Sequence, residues 1–200
     1  IEAMVAAAAA IAVVYPHMNG LGGDNFWLIH EPGHAPLALA SCGAAAALAT
    51  REAYRAAGHE VMPTRGPQAA LTVAGAVDGW RAALEVSAQW GGRLPLARLL
   101  EDAVAHARDG IAVTASQFDN TVSKRDELMA VPGFAQTYLD ALAAPAPGAV
   151  FKQARLADTF QHLAHHGLDD FYRGELARSL AQDLERAGSP LRLADLAAHR

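Results

Sequence analysis

The stretch Tyr15-Pro16-His17-Met18-Asn19-Gly20-Leu21-Gly22-Gly23-Asp24-Asn25-Phe26-Trp27-Leu28-Ile29 joins an alanine-rich apolar segment to an aromatic one through a loop with three glycines in four residues. Pro16 lacks an N–H and its ring clashes one turn back, so a helix arriving from the N-terminal side must end near Tyr15. Gly20, Gly22 and Gly23 permit positive φ and close backbone approach, and loops of this kind often lie beneath a functional cleft. Phe26-Trp27-Leu28-Ile29 has the aromatic and branched residues of a buried strand. Upstream, Ala3 to Val14 is helical by propensity and has no polar face, which predicts burial on all sides. Downstream, the strand Phe26 to His30 runs into Glu31-Pro32-Gly33-His34, a turn by its Pro-Gly pair, and Leu37 to Ser41 returns as an antiparallel partner. Two adjacent strands fed by a buried helix predict a layered α/β core.

The rest of the chain reads as mostly helical. The alanine run from Ala44, continued by Arg51, Glu52, Tyr54 and Arg55, predicts a helix stopped by Gly58. His59 to Pro67 is a polar loop, and Leu71-Thr72-Val73 a short strand. From Val77 to Gln89, Val77, Trp80, Leu84 and Ala88 share one helical face while Asp78, Arg81 and Glu85 lie elsewhere. Pro95 suits a first helical position, and Leu96, Leu99, Leu100, Val104 and Ala107 form the next apolar stripe, ended by Gly110. Between Thr114 and Leu142 the pattern is helical and broken at Pro132-Gly133. Ala143 to Gly148 is a linker that joins segments. Leu156, Phe160 and Leu163 mark one further amphipathic helix and Leu176, Leu180 and Leu184 another, stopped by Gly188-Ser189-Pro190. Leu193 to His199 begins a further element. The expected organisation is part of one domain over residues 1–200, with helix and strands in 1–75 and mainly helix in 76–200.

Two hundred residues are enough for one sizeable core. Hydrophobic residues at 52% and charged residues at 18% describe a globular chain. A net charge of -5 without any Lys/Arg run gives no field for nucleic acid or an anionic membrane, so neither partner is expected. The first fifteen residues are apolar except Glu2, yet a membrane span needs about 20 such residues and a signal peptide needs a basic start. The chain opens inside a helix without an initiator Met, and it is read as a portion of a longer polypeptide. A single cysteine, Cys42, forms no internal disulfide framework and is too few for a thiolate zinc site.

Candidate chemistry is sparse. The glycine loop runs from helix to strand, whereas the Walker and dinucleotide fingerprints run from strand to helix, so it is no phosphate cradle. It is either a tight structural turn or a wall on which Asn19, Gly22, Gly23 and Asp24 line a substrate pocket. His17 reads as a structural histidine unless a nucleophile stands beside it. His162 and His166 have a chelating spacing, but no glutamate of the HExxH kind accompanies them, and a solvated helix face is the simpler reading; no metal is expected. Cys42, at the end of the second strand, is either a small buried hydrophobe or a pocket residue.

The order helix, Pro-His, Gly-x-Gly-Gly and aromatic strand resembles the start of the large subunit of the γ-glutamyltranspeptidase family. Val73-Ala74-Gly75-Ala76-Val77-Asp78-Gly79-Trp80 is similar to that family's V-P-G-x-V-x-G segment, and Trp90-Gly91-Gly92-Arg93-Leu94-Pro95 to its (Y/F)G-x-L-P link. Gly167-Leu168-Asp169-Asp170-Phe171-Tyr172-Arg173-Gly174-Glu175 resembles G-x-x-x-FY-x-G-x-(I/L)A, and Leu193-Ala194-Asp195-Leu196-Ala197 resembles L-x-x-D-(L/F)A. These matches are colinear and cover nearly the whole chain.

The resemblance implies an N-terminal nucleophile hydrolase with an α/β/β/α layered fold, present here in part and helix-rich in its second half. It implies a self-cleaving precursor, an acyl-enzyme on the N-terminal threonine of a small subunit, and no cofactor. It also implies a periplasmic or secreted location, or a cytoplasmic one for a small-amide hydrolase. No threonine here is followed directly or after one residue by histidine, so no catalytic residue is expected in this chain and the nucleophile is expected on the small-subunit partner. In transpeptidases of the family the second strand ends in D-F-R-E-x-A-P, whose arginine grips the donor's α-carboxylate; the ungapped counterpart here is Ala40-Ser41-Cys42-Gly43-Ala44-Ala45-Ala46. A thiol cannot replace a bidentate guanidinium. The readings are therefore γ-glutamyl transfer or glutathione-type hydrolysis, amide hydrolysis of a small non-glutamyl, oxamate-like compound, or a non-catalytic scaffold that kept the family's shape.

Overall fold

Helix α1 (Glu2–Val14) sets the core. The structure is a computed structural model that describes residues 1–200. Val5, Ala9, Ala12 and Val13 recur at helical spacing and are buried, and the small side chains among them let a second helix come close. That helix is α4 (Leu96–Asp109), which buries Leu99, Leu100, Ala103 and Ala107 against α1 and carries α7 (Ala154–His166) beside it. The opposite face of α1 is open, with Met4 62% and Ile11 43% exposed. The expectation of burial on all sides is thus corrected. A helix apolar all round states how much surface it could bury, but not which neighbours are at hand to bury it.

Strands β1 (Asn25–Ile29) and β2 (Leu37–Ser41) form the expected antiparallel hairpin, in register from Asn25 opposite Ser41 to Ile29 opposite Leu37. Side chains alternate across it. Trp27, Ile29, Leu39 and Ser41 turn inward, and both strands pack on α3 (Ala76–Gln89). The other face is bare: Phe26 is 71% and Leu28 78% exposed. The strand read as buried is therefore buried on one face only.

The alanine run after β2 is not helical. Val73 N donates to the Ala44 carbonyl at 3.0 Å and Ala46 N to the Leu71 carbonyl at 2.8 Å, so the run makes a bridge with the segment read as a strand at Leu71–Val73. Ladder bonds to a distant segment outweigh alanine's helical preference here, and α2 (Arg51–Ala56) starts only where the Thr50 hydroxyl accepts from Ala53 N at 3.1 Å. Gly43 and Gly75 make this crossing possible. A Cβ on Gly43 would lie 1.7 Å from the Val73 carbonyl oxygen, and one on Gly75 2.0 Å from that of Ser41.

In the second half, β3 (Ile111–Ala112) pairs with β4 (Val150–Phe151), and α5 (Ala115–Leu128) and α6 (Phe134–Tyr138) are separated at Pro132-Gly133 as expected. Gly148 N donates to the Val113 carbonyl at 2.9 Å, so the linker read at Ala143–Gly148 is stitched to its surroundings. The last segment holds α8 (Asp170–Arg173), α9 (Glu175–Ala187) and α10 (Leu193–Ala198). In α9 it is Ala177 and Ala181 that are buried, with the expected leucines half-buried around them. A single hydrophobic cluster runs from Val5 to Leu196.

Asp170 fastens this end. Its carboxylate accepts from Leu176 N at 2.9 Å, from Glu175 N at 3.2 Å and from the His162 ring at 2.7 Å, serving the first unpaired N–H groups of α9 from the preceding helix. Burial raises its carboxyl, but the bonds from Leu176 N, His162 and Glu175 N outweigh that and hold it below the usual range. His162 is thus committed to Asp170, and it stacks on His166 with centroids 4.3 Å apart.

Gly43→Ala and Gly75→Ala each destabilise the protein by at least about 3 kcal/mol, because the added carbon meets backbone that cannot swing away. Gly20→Ala, which meets nothing within 4 Å, leaves the melting temperature unchanged. Parallel thermal melts check the three. Asp170→Asn costs about 1–2 kcal/mol near neutral pH through the weakened cap. A carboxyl lowered by folding contributes stability that is full above its unfolded pKa and lost as pH falls through its folded pKa, so the gap between wild type and Asp170→Asn closes in acid. Denaturant titrations across that range measure the closure.

Candidate active-site surface

The register of the hairpin decides what stands at its open end. Asn25 faces Ser41, so the residues just outside that pair, Asp24 and Cys42, come together. Both are exposed. Partial desolvation, then the charge of Asp24 and hydrogen bonding to it, push the Cys42 thiol above the ordinary thiol range. The pair is therefore a neutral thiol beside a carboxylate, with no thiolate nucleophile at neutral pH.

The remaining loop residues are arranged more loosely. The Gly23 carbonyl accepts from Ala76 N at 2.9 Å, which ties the loop to the start of α3. Asn19 and Gly22 stay exposed along it. Gly20, Gly22 and Gly23 all have negative φ and open space where a Cβ would stand, so neither positive φ nor close approach explains them within these residues. Near this site the glycines crowded by backbone are Gly43 and Gly75, on either side of the crossing next to Cys42.

Beyond Cys42 lies a cavity of about 290 Å³, bordered by Val73, Asp195, His199 and Arg200 besides small alanines. Asp195 Oδ1 accepts from Ala47 N at 2.9 Å and Oδ2 from Arg192 N at 2.8 Å, fixing α10 against the alanine run. His199 is buried and stacked on Tyr172, with centroids 4.8 Å apart, and its Nε2 lies 3.7 Å from Asp78 Oδ2. Tyr172 donates to the Ala74 carbonyl at 2.8 Å and accepts from Asp78 N at 2.9 Å, and burial pushes its phenol up, so it stays a protonated brace. Asp78, expected off the buried face of α3, is only 7% exposed and also takes Arg81 Nε at 2.6 Å. Periodicity assigned Asp78 to the wrong side because it counts apolar residues and is blind to a carboxylate buried beside a half-exposed arginine. Neither Asp78 nor His199 was legible as part of this surface; Phe171-Tyr172 within its motif was the nearest signal.

His17 is turned to other work. Its Nε2 is 3.0 Å from Ser116 Oγ, burial lowers its pKa, and it lines a separate cavity of about 350 Å³ with Arg65, Lys124 and Tyr138. The structure thus brings Asp24 and Cys42 together, anchors Gly23, and leaves Asn19 and Gly22 on the rim.

The chain is 60% identical over 201 residues to the oxamate amidohydrolase proenzyme of Klebsiella pneumoniae subsp. pneumoniae, covering 100% of this chain and 38% of that protein. It is 39% identical to the glutathione hydrolase-like YwrD proenzyme of Bacillus subtilis, covering 100% of this chain and 37% of the relative. The chain therefore spans less than two fifths of the length of these curated relatives. Among solved structures, the γ-glutamyltranspeptidase of Helicobacter pylori superposes with a TM-score of 0.89 at 26% identity, over 100% of this chain and 57% of that one. That likeness includes the helix-rich, partial α/β architecture of the fold. Colinear motifs, shared architecture and a family model for gamma-glutamyltranspeptidase that matches residues 1–200 lead to one conclusion: the chain belongs to the γ-glutamyltranspeptidase family.

Proposed function

We propose that this chain is large-subunit sequence of an N-terminal threonine amide hydrolase whose substrate is a small non-glutamyl amide of the oxamate type. The observation that carries the reading is the neutral Cys42 thiol beside Asp24, at the position where the family's transpeptidases hold an arginine. A γ-glutamyl donor brings an α-carboxylate that needs a fixed bidentate cation, and a thiol next to a carboxylate offers the opposite field. The relative at 60% identity, named an oxamate amidohydrolase, supports the same substrate class. The relative at 39%, named glutathione hydrolase-like, supports γ-glutamyl hydrolysis as the second reading.

In this proposal the partner small subunit supplies the threonine. Its hydroxyl attacks the amide carbon while its own amine takes the proton, ammonia leaves, and water releases the acyl group. The large-subunit chain contributes the floor: Asp24 accepts the amide N–H, Cys42 bounds the acyl part without charge, and Asn19, Gly22 and Gly23 form the rim. The bare outer face of the hairpin, with Phe26 and Leu28, is where the rest of the sandwich and the small subunit pack. No cofactor takes part.

The full-length protein releases ammonia from oxamate and leaves a chromogenic γ-glutamyl anilide intact; the reverse pattern overturns the substrate assignment, and inertness toward both favours the scaffold. Cys42→Arg lowers kcat/KM for oxamate by at least about tenfold, since a cation paired with Asp24 fills the acyl space. Asp24→Asn removes the charge that raises the thiol, so iodoacetamide alkylates Cys42 at least about twofold faster at a fixed, mildly alkaline pH.

A further inference from the structure

His17 stands directly after Pro16 and two residues before Asn19, where the rim of the site begins. Its ring is held from one side only. Nε2 lies 3.0 Å from Ser116 Oγ near the start of α5, and Ser116 Oγ lies 3.2 Å from Thr114 Oγ1, which caps that helix by accepting from Gln117 N at 3.1 Å. Nδ1 is fully buried and has no hydrogen-bond partner. Sequence beyond residues 1–200 cannot reach an atom that these residues already enclose, so the one-sided pairing belongs to this part of the fold.

The enclosure selects a tautomer. If Nε2 accepted from Ser116, the ring proton would sit on Nδ1 as a sealed donor without an acceptor, the rarer and costlier kind of orphan. With the proton on Nε2, the ring donates to Ser116 Oγ, Ser116 donates onward to Thr114 Oγ1, and only a lone pair at Nδ1 goes unused. Ser116 is therefore an anchor for His17 and not a nucleophile activated by it.

A second proton has no place on this ring while the contact holds. It would create the orphan N–H at Nδ1, and burial already keeps His17 below the ordinary histidine range. The cations on the cavity that His17 borders, Arg65 and Lys124, add no acceptor; both are held by Glu127, at 2.8 and 3.0 Å. The remaining titratable neighbours are phenols: Tyr15 packs edge-on at 4.3 Å, and Tyr138 donates to the Pro16 carbonyl at 3.0 Å. The glycine loop is thus tied at Pro16-His17 and again at Gly23, with Leu21 packed on the core between.

Resting on the reading of this loop as the rim of the small-amide site, we infer that His17 is a positioning residue of that site: neutral, it clamps the start of the glycine loop to Ser116, and on taking up a proton it lets the loop go. It touches neither substrate nor reacting atoms. Because folding lowers its pKa, its contribution is full above the unfolded value and lost as pH falls through the folded one.

The test uses the full-length, processed protein. In His17→Gln the side-chain amide still donates to Ser116 and does not titrate. Its kcat/KM for oxamate stays within about twofold of wild type at mildly alkaline pH, while the acid limb moves down by at least about half a pH unit. A merely structural histidine would lower activity alike at every pH. Hydrogen exchange at the Met18 and Asn19 amides, both bonded to the Tyr15 carbonyl, reads the clamp without substrate. After correction for intrinsic rates, their protection falls in acid in wild type, holds in His17→Gln, and is low throughout in Ser116→Ala. A wild type without an acid limb, a limb that His17→Gln leaves in place, or protection that ignores pH overturns the role of His17. A wild type inert toward oxamate overturns the substrate reading, and the exchange measurement still decides the clamp.

Discussion

Two backbone segments, Ser41–Ala44 and Val73–Gly75, touch with no side chain between them, and the geometry of the rest follows from that contact. Gly43 and Gly75 are the only residues the contact admits, since a single carbon at either would fall inside 2.0 Å or less of a carbonyl oxygen. Because the segments lie so close, the end of β2 is pinned to the start of α3. Tyr172 braces the same junction from below through Ala74 O and Asp78 N. With the junction fixed, hairpin register alone decides that Asp24 and Cys42 share one edge. The candidate site is therefore positioned by main chain, which leaves side chains such as Cys42 free to differ between family members without disturbing the scaffold.

What was legible in the sequence was legible where period and propensity agree. Pro16 ended α1, the Pro-Gly turn closed the hairpin, and the stripes in α4 and α7 faced the core as read. The failures share one cause, which is information held by a distant partner. The alanines after β2 have every local reason to be helical, yet Leu71 and Val73 recruit them into a bridge. Asp78 is charged and still buried, because Arg81 and His199 stand beside it. In the glycine loop the position of Asp24 was legible and the reason for the glycines was not, and the backbone crowding beside the site that demands glycine occurs at Gly43 and Gly75. For the site itself, the resemblance pointed to position 42, while Arg200 and His199 reach its cavity through α10, an element whose packing no local pattern reveals.

Electrostatics give the surface a direction. At one end desolvation, with Asp24 beside it, raises the Cys42 thiol; at the other Asp195 is held by the backbone N–H groups of Ala47 and Arg192. The buried polar cluster of Asp78, Tyr172 and His199 lies behind this surface: Tyr172 is bonded to the backbone at Ala74 and Asp78, His199 stacks on it, and the His199 Nε2 has no hydrogen-bond partner.

The open hairpin carries a cost of its own. Two strands whose outer edges and outer face are unoccupied, with an exposed phenylalanine and leucine on that face, offer a ready template for stray β-pairing between molecules. During synthesis this face emerges early, with nothing yet against it. The order in which the polypeptide is made thus sets a window of stickiness, which closes only when the hairpin's outer face is covered.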